Sequence, residues 1–174
     1  MNLPYATQAP RRTRTRLLPT LLDRLRDDAP HRQSESPDEY AVTPAQMRDI
    51  VQRDLTFLLN TTNLAGSLDR ERYPHVAAST INFGVPPFAG AFVASCEWRD
   101  IESAIRRAIT TFEPRLLPDT LSVAPMGVPH SSGYNVLRFE IHAMLQMDPY
   151  PLAFTVQSSL DLETRQVSLT QVRA

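Results

Sequence analysis

Residues 97–116 read EWRDIESAIRRAITTFEPRL, and this stretch decides the class of the fold. Its apolar residues recur at intervals of three and one, which predicts an amphipathic helix over 97–112. Glu102 lies four residues before Arg106, a spacing at which opposite charges pair on a helix surface. Pro114 cannot continue a helix, so we expect the helix to end just before it. The apolar stripe consists of Ile101, Ala104, Ile105, Ala108, Ile109 and Phe112.

Beyond Pro114 the spacing of apolar residues changes to an alternation of two, which is typical of strands with one wet face. The alternation predicts four strands, near 121–125, 137–145, 152–160 and 166–172. Helices followed by antiparallel strands predict an α+β fold, in which N-terminal helices pack on a small, mainly antiparallel C-terminal β-sheet.

A helix upstream is predicted by its capping residues. Thr43 is a favoured N-cap, Pro44 suits the first helical position, and Gln46 stands where a capping box requires it. We expect this helix to reach about Asn60. Its apolar stripe consists of Met47, Ile50, Val51, Leu55, Leu58 and Leu59.

A shorter helix is predicted to begin at Tyr73-Pro74 and to end before Gly84, a residue type that favours the position after a helix. The residues expected to face inward are Val76, Ala77, Thr80 and Ile81.

The N-terminal residues differ from the rest in composition. Residues 1–16 hold four arginines and no acid, so we expect a basic flexible arm there. Residues 17–41 are expected to form a short amphipathic helix and a linker, before a single α+β domain over 42–174. The short helix is not stable alone, so it either packs on its own domain or binds a groove on a partner. Its leucines at helical spacing include Leu21, Leu22 and Leu25.

The composition disfavours several classes of protein. The 174 residues have a net charge of −1, so no overall positive field points to nucleic acid. The sequence contains no apolar run long enough for membrane insertion, and its single cysteine, Cys96, rules out a disulfide framework and favours a cytoplasmic location. The four histidines lack the spacing of metal ligands and no catalytic motif stands out, so we expect no metal, no cofactor and no enzymatic activity.

Glu113-Pro114-Arg115 is the feature most open to a functional interpretation. The proline disfavours a helical conformation at Glu113, so we expect the acid and the guanidinium on a stiff, extended and exposed elbow. Such a pair either binds a partner through charge-assisted hydrogen bonds or ends the helix by satisfying nearby backbone groups. The residues alone leave both interpretations open.

Nine segments carry a family likeness. They are 21–25 (LLDRL), 53–55 (RDL), 58–61 (LLNT), 73–77 (YPHVA), 81–86 (INFGVP), 104–109 (AIRRAI), 112–116 (FEPRL), 137–141 (LRFEI) and 160–164 (LDLET). Taken in this order, the segments resemble the TssE family of type VI secretion baseplate subunits. That family is similar to the wedge proteins of contractile phage tails once labelled lysozyme-like.

The resemblance implies a cytoplasmic structural subunit of a membrane-docked baseplate. The implied partners are the wedge subunits TssF, TssG and TssK and the sheath subunits TssB and TssC, whose assembly around the Hcp tube the chain would help to initiate. In the family the Glu-Pro-Arg motif lies at the contact with the helical core bundle of the wedge, which implies that Glu113, Pro114 and Arg115 bind a partner. The fold is also similar to a domain of the sheath, which implies that an edge of the sheet accepts a sheath strand.

Two alternatives remain at this point. The lysozyme-like label suggests a muramidase, but glycoside hydrolysis requires a carboxylic acid that donates a proton, and Glu113 has an arginine two residues away. Some relatives look like regulatory adaptors or anti-adaptors, which occupy a partner that targets proteins for proteolysis. The chain departs from the family at Arg165, where relatives usually have glycine, so we expect a different turn in the last hairpin.

Overall fold

The computed structural model describes residues 19–26, 30–34, 42–69, 71–87, 98–127, 136–161, 163–164 and 166–171. The chain divides into two units, Met1–Val42 and Thr43–Ala174, and each is described by itself. The predicted basic arm at 1–16, Cys96 and Arg165 all lie outside the described residues.

In the first unit, the described part of the predicted short helix is α1 (Leu21–Leu25), and residues 17 and 18 lie outside the described residues. Thr20 is its N-cap, because the Thr20 hydroxyl accepts a hydrogen bond from the Asp23 backbone N at 3.4 Å. The three leucines of this helix are exposed, with exposed fractions of 67%, 79% and 71%. In sequence order they are Leu21, Leu22 and Leu25.

In the second unit, helix α2 (Pro44–Asn60) begins and ends where the sequence predicts. Gln46 N donates to Thr43 Oγ1 at 3.2 Å, and Thr43 N donates to Gln46 Oε1 at 2.8 Å, so both bonds of the capping box are present. These bonds satisfy backbone donors that the first turn otherwise leaves unpaired, and they fix the start of the helix. The buried members of its stripe are Met47, Val51, Leu55, Leu58 and Leu59.

The segment after α2 corrects one prediction. Helix α3 (Pro74–Ala77) begins at the predicted proline, but it ends after one turn and a 3₁₀ turn, Thr80–Asn82, follows. Thr80 and Ile81 were expected to face inward and are exposed, Ile81 by 70%. Because a 3₁₀ turn has three residues per turn, it rotates Ile81 off the helical stripe. Asn82 is buried instead, held by two hydrogen bonds of its side-chain amide.

Helix α4 (Trp98–Phe112) carries the stripe that the sequence predicts. Its buried members are Ile101, Ile105, Ala108 and Ile109. Glu102 and Arg106 form the expected ion pair at 3.2 Å on its half-exposed side. The helix thus turns its apolar side to the core and its charges to solvent, as an amphipathic helix does.

A four-stranded antiparallel sheet follows the helices, and its strands neighbour one another in chain order. The strands are β1 (Ser122–Pro125), β2 (Val136–Leu145), β3 (Leu152–Asp161) and β4 (Val167–Gln171). The α+β prediction is confirmed, and each strand starts within one residue of its expected position.

One face of the sheet is buried under the helices. Helix α2 contacts β3, β4 and α4, and helix α4 contacts β1. The side chains that form this face include Val123, Phe139, Ile141, Phe154, Val156 and Leu160. Among the described helices, none has both the length and the apolar character needed to cross a bilayer.

Gly84 allows a close approach between two segments of the chain. Its φ is +119°, and a Cβ atom at this position would lie 2.2 Å from the carbonyl oxygen of Thr61. We expect Gly84→Ala to lower the free energy of unfolding by about 1–3 kcal/mol, because the backbone must leave this conformation or the two segments must separate. Urea unfolding measures the change.

The matched control is Gly66→Ala, since a Cβ built on Gly66 has no atom within 4 Å apart from its own residue and the two next to it in the chain. We expect the control to stay within about 0.5 kcal/mol of the unaltered chain. An equal loss in both variants would contradict the structural reason given for Gly84.

Ser158 is a polar residue on the buried face of β3. Its side chain is 3% exposed, and its hydroxyl has no hydrogen-bond partner within the described part of the chain. Burying an unpaired hydroxyl is unfavourable, so we expect Ser158→Ala to raise the free energy of unfolding by up to about 1 kcal/mol. A clear loss of stability in urea unfolding would show that the hydroxyl is bonded in solution.

Candidate functional site

The Glu-Pro-Arg segment joins helix α4 to the sheet through a hydrogen-bonded turn. Glu113 N donates to Ile109 O at 2.8 Å, which continues the bonding of the helix, and Leu116 N donates to Glu113 O at 3.2 Å, which closes the turn. The predicted extended elbow is therefore wrong. The fixed φ of Pro114 suits the second position of a turn as well as an extended chain, and the turn is what forms.

Backbone bonds tie the other end of this segment to strand β2. Gln146 N donates to Arg115 O at 2.7 Å, and Leu117 N donates to Met144 O at 2.9 Å. The backbone of Arg115 is thus held between the end of α4 and the end of β2. These bonds fix the position from which its side chain extends.

The Arg115 guanidinium bridges two carboxylates that are far apart in sequence. Its Nε donates to Glu113 Oε1 at 2.6 Å, and its Nη2 donates to Glu113 Oε2 and, at 2.6 Å, to Asp54 Oδ2. Asp54 lies on α2, so the cluster of Asp54, Glu113 and Arg115 connects that helix to the turn. Arg53 adds a fourth charge, since its Nη2 donates to Asp54 Oδ1 at 2.8 Å.

The charge on Arg115 is fixed rather than titratable. Burial lowers the pKa of Arg115, but its hydrogen bonds to Glu113 and Asp54 outweigh burial and raise the pKa above the usual value for arginine. Because the pKa is raised, deprotonation of Arg115 removes its contribution to stability only as the pH rises through that raised pKa, far above neutral. Arg115 is therefore suited to holding structure, because it keeps its charge near neutral pH.

The burial of Glu113 corrects the expectation of an exposed acid. Glu113 is 4% exposed and both of its oxygens bond to Arg115. Pro114 is exposed and the side chain of Arg115 is 28% exposed, so these two residues form the accessible part of the turn. Glu113 also accepts a bond from the Arg115 backbone N at 3.3 Å, which agrees in part with the helix-ending interpretation.

A cleft of about 250 Å³ lies beside this cluster. Its lining residues are Asp54, Phe57, Leu58, Phe83, Phe112, Glu113 and Arg115. The rings of Phe83 and Phe112 meet edge to face, with centroids 5.3 Å apart, and Phe57 is 63% exposed. The cleft therefore combines aromatic surface with a fixed, charged wall.

The sequence interpretation missed the lining residues that come from α2 and from the position after the 3₁₀ turn. Asp54, Phe57 and Phe83 are remote in sequence from the Glu-Pro-Arg segment, and no local spacing connects them. Phe57 did carry a usable signal, because a large aromatic residue lies outside the apolar stripe of its own helix. The predicted partner-binding leucines belong to the first unit and are described there.

The described residues hold no group of three or more metal-binding side chains. Asp54 and Glu113 both accept hydrogen bonds from the same guanidinium. Glycoside hydrolysis requires one of two carboxyl groups to donate a proton to the leaving oxygen, and this arrangement engages both as acceptors. What the cluster can do chemically is to hold an ion pair in fixed geometry.

We expect Glu113→Gln to lower the free energy of unfolding by about 1.5–3 kcal/mol, because a buried charge-assisted contact is lost. The matched control is Glu102→Gln, which removes the i,i+4 ion pair with Arg106 on the half-exposed side of α4. That pair is worth about 0.3–0.5 kcal/mol. Urea unfolding compares the two variants. Similar losses of stability would contradict the larger contribution that we assign to the contact between Glu113 and Arg115.

A family model matches the part of the chain that carries this site. The family model described as baseplate wedge protein gp25 matches residues 45–150, more than half of the chain. The match includes most of α2, all of α4, the Glu-Pro-Arg segment and every residue that lines the cleft. No curated protein and no solved structure gives a significant match. The chain belongs to the baseplate wedge protein gp25 family, as the sequence segments predicted.

Proposed function

We propose that the chain is a TssE-like subunit of a type VI secretion baseplate. In this role it is a non-enzymatic structural protein that joins the wedge subunits TssF, TssG and TssK and helps to initiate the TssB–TssC sheath around the Hcp tube. Membership of the baseplate wedge family supports a structural role in a tail-like complex. The secretion system, the named partners and the cytoplasmic, membrane-docked location go beyond family membership and are proposed here.

The observation that carries the proposal is the aromatic cleft beside the Glu-Pro-Arg turn. Phe57 exposes most of its ring next to a concave site, an arrangement that is typical of the centre of a protein interface. Pro114 and the open part of Arg115 border the same site. We propose that an apolar side chain from the helical core bundle of the TssF–TssG wedge fills the cleft.

The buried ion pairs support this contact indirectly. Asp54, Phe57 and Leu58 come from α2, whereas Phe112 and Glu113 come from the end of α4 and the turn after it. Because Arg115 bonds to Asp54 and Glu113, it holds the two walls of the cleft at a fixed separation. A preformed cleft loses less conformational freedom on binding than a flexible one. Glu113 and Arg115 are therefore positioning residues, and Phe57 and Pro114 make the contact.

The alternatives differ from this proposal in their partners. A regulatory adaptor on the same fold would bind one regulator and no wedge subunit. A muramidase would require a carboxyl group free to donate a proton, and Asp54 and Glu113 are both acceptors of bonds from Arg115. We propose no nucleic acid, metal or cofactor as a ligand.

The direct test is co-purification of the chain with TssF–TssG. We expect Phe57→Ala to weaken the complex by about tenfold or more, since it removes an exposed ring at the centre of the contact. The matched control is Tyr150→Ala, because Tyr150 is 80% exposed and lies in the turn between β2 and β3, away from the cleft. We expect the control to bind normally.

Both substitutions remove mostly exposed rings, so both variants are expected to fold, which circular dichroism checks. Equal affinities for the two variants would contradict the placement of the contact at the cleft. A chain that binds a single regulator and no wedge subunit would favour the adaptor instead.

A further inference from the structure

Helix α1 (Leu21–Leu25) carries its apolar side chains on one exposed side. None of the described residues of this helix is buried, and the exposed fractions of Leu21, Leu22 and Leu25 are 67%, 79% and 71%. At about 3.6 residues per turn the three leucines lie within an arc of about 100°, and Asp23 lies on the opposite side. Contiguous exposed apolar surface of this kind marks a site of interaction.

Local bonds form this helix. Thr20 caps it, and Arg24 N donates to Thr20 O at 3.0 Å. Asp23 lies in the first turn and Arg24 in the last, where their charges complement the helix dipole. A helix as short as this one is only marginally stable in water. An apolar environment that takes up its leucines would therefore also stabilise the helix itself.

The segment that contains α1 is strongly basic, unlike the rest of the chain. Residues 1–26 hold six arginines and one acid, a net charge of +5, whereas residues 27–174 hold twelve arginines and eighteen acids, a net charge of −6. Arginine binds phosphate groups through paired hydrogen bonds and keeps its charge at physiological pH. The leucines of α1 and this positive charge together favour a surface that is both apolar and anionic.

A lipid bilayer fits these features better than a groove on a protein does. Leucine is under-represented among the residues that dominate protein interfaces, and α1 contains no aromatic residue that could serve as an anchor. The arginines are spread along the sequence from residue 11 to residue 26, which suits a continuous layer of anionic headgroups rather than single acids at fixed positions. A cluster of about four to eight basic residues on an amphipathic helix is typical of a segment that binds anionic lipid.

We propose that α1 lies flat on an anionic lipid bilayer, with Leu21, Leu22 and Leu25 among the upper acyl chains and the arginines at the level of the phosphate groups. Arg24 borders the leucine arc, so its stem can follow the apolar surface while its guanidinium reaches the headgroups. With five residues the helix is too short to span the bilayer, so it binds at the interface only. The inference goes beyond the proposed function, because it concerns the first unit and every residue that lines the cleft belongs to the second.

Vesicle flotation of the full chain tests the inference. We expect at least about tenfold stronger binding to phosphatidylcholine vesicles that contain about 30% phosphatidylglycerol than to vesicles of phosphatidylcholine alone, since only the former carry negative charge. Raising the salt concentration from about 0.05 M to about 0.5 M should weaken binding to the charged vesicles by about tenfold or more, because salt screens the arginines. Equal binding to the two kinds of vesicle, or no binding to either, would overturn the inference.

A matched pair of double variants tests the leucines. We expect Leu22→Gln with Leu25→Gln to weaken binding to the charged vesicles by about tenfold or more, because two apolar side chains no longer enter the acyl chains. The control is Leu64→Gln with Ile81→Gln, which removes two side chains of 48% and 70% exposure from the second unit. We expect the control to bind within about twofold of the unaltered chain. All four side chains are exposed, so both double variants are expected to fold, which circular dichroism checks.

The outcomes separate the bilayer from a protein groove and from the proposed function. Equal binding of the two double variants to charged vesicles would overturn the role of α1. If the unaltered chain binds no vesicle and Leu22→Gln with Leu25→Gln instead weakens co-purification with TssF–TssG, α1 binds a protein groove and the inference is wrong. The Phe57→Ala comparison is independent of all these results, so the wedge contact at the cleft stands or fails separately.

Discussion

The guanidinium of Arg115 is the group on which the arrangement of this domain depends. It bonds to Glu113 in the turn after α4 and to Asp54 on α2, while the Arg115 backbone carbonyl accepts a bond from β2. A planar cation with several donors in fixed directions can bridge two carboxylates at once, which a lysine ammonium does not reproduce. The turn after α4, helix α2 and the end of β2 therefore meet at one residue, through its side chain and its backbone carbonyl.

This arrangement gives the Glu-Pro-Arg motif a role different from a simple exposed charge pair. Glu113 is buried and fully engaged, so its contribution to any partner contact passes through the position of Arg115 and the shape of the cleft. A baseplate subunit has to hold its neighbours in fixed geometry, and a buried ion pair whose cation does not titrate near neutral pH suits that requirement. Helix α2 also holds one edge of the sheet, because its Gln52 and Asn60 side chains bond to backbone groups of β4.

Local rules predicted most of the fold and little of the site. The capping box at Thr43, the stripe of α4 and the alternation of the strands are each set by neighbours in sequence, and the structure confirms them. The pairing of Asp54 with Arg115 spans 61 residues, and only the packing of α2 against the turn creates it. Ile81 was misplaced because the helical period gave way to a 3₁₀ turn.

The burial of Glu113 also lay beyond what sequence rules provide. Those rules state which conformations Pro114 excludes, but not which of the remaining conformations the packing selects. The partners of the β4 edge were hidden for a related reason. Gln52 and Asn60 look like ordinary polar residues of a helix surface until the sheet is placed beside them.

Hydroxyl-radical footprinting of the chain, alone and bound to purified TssF–TssG, tests the central claim most directly. If the cleft is the wedge contact, oxidation of Phe57 and Phe83 decreases strongly on binding, while Tyr150 stays equally reactive. Undiminished oxidation of Phe57 in a complex that protects other surfaces would contradict the account.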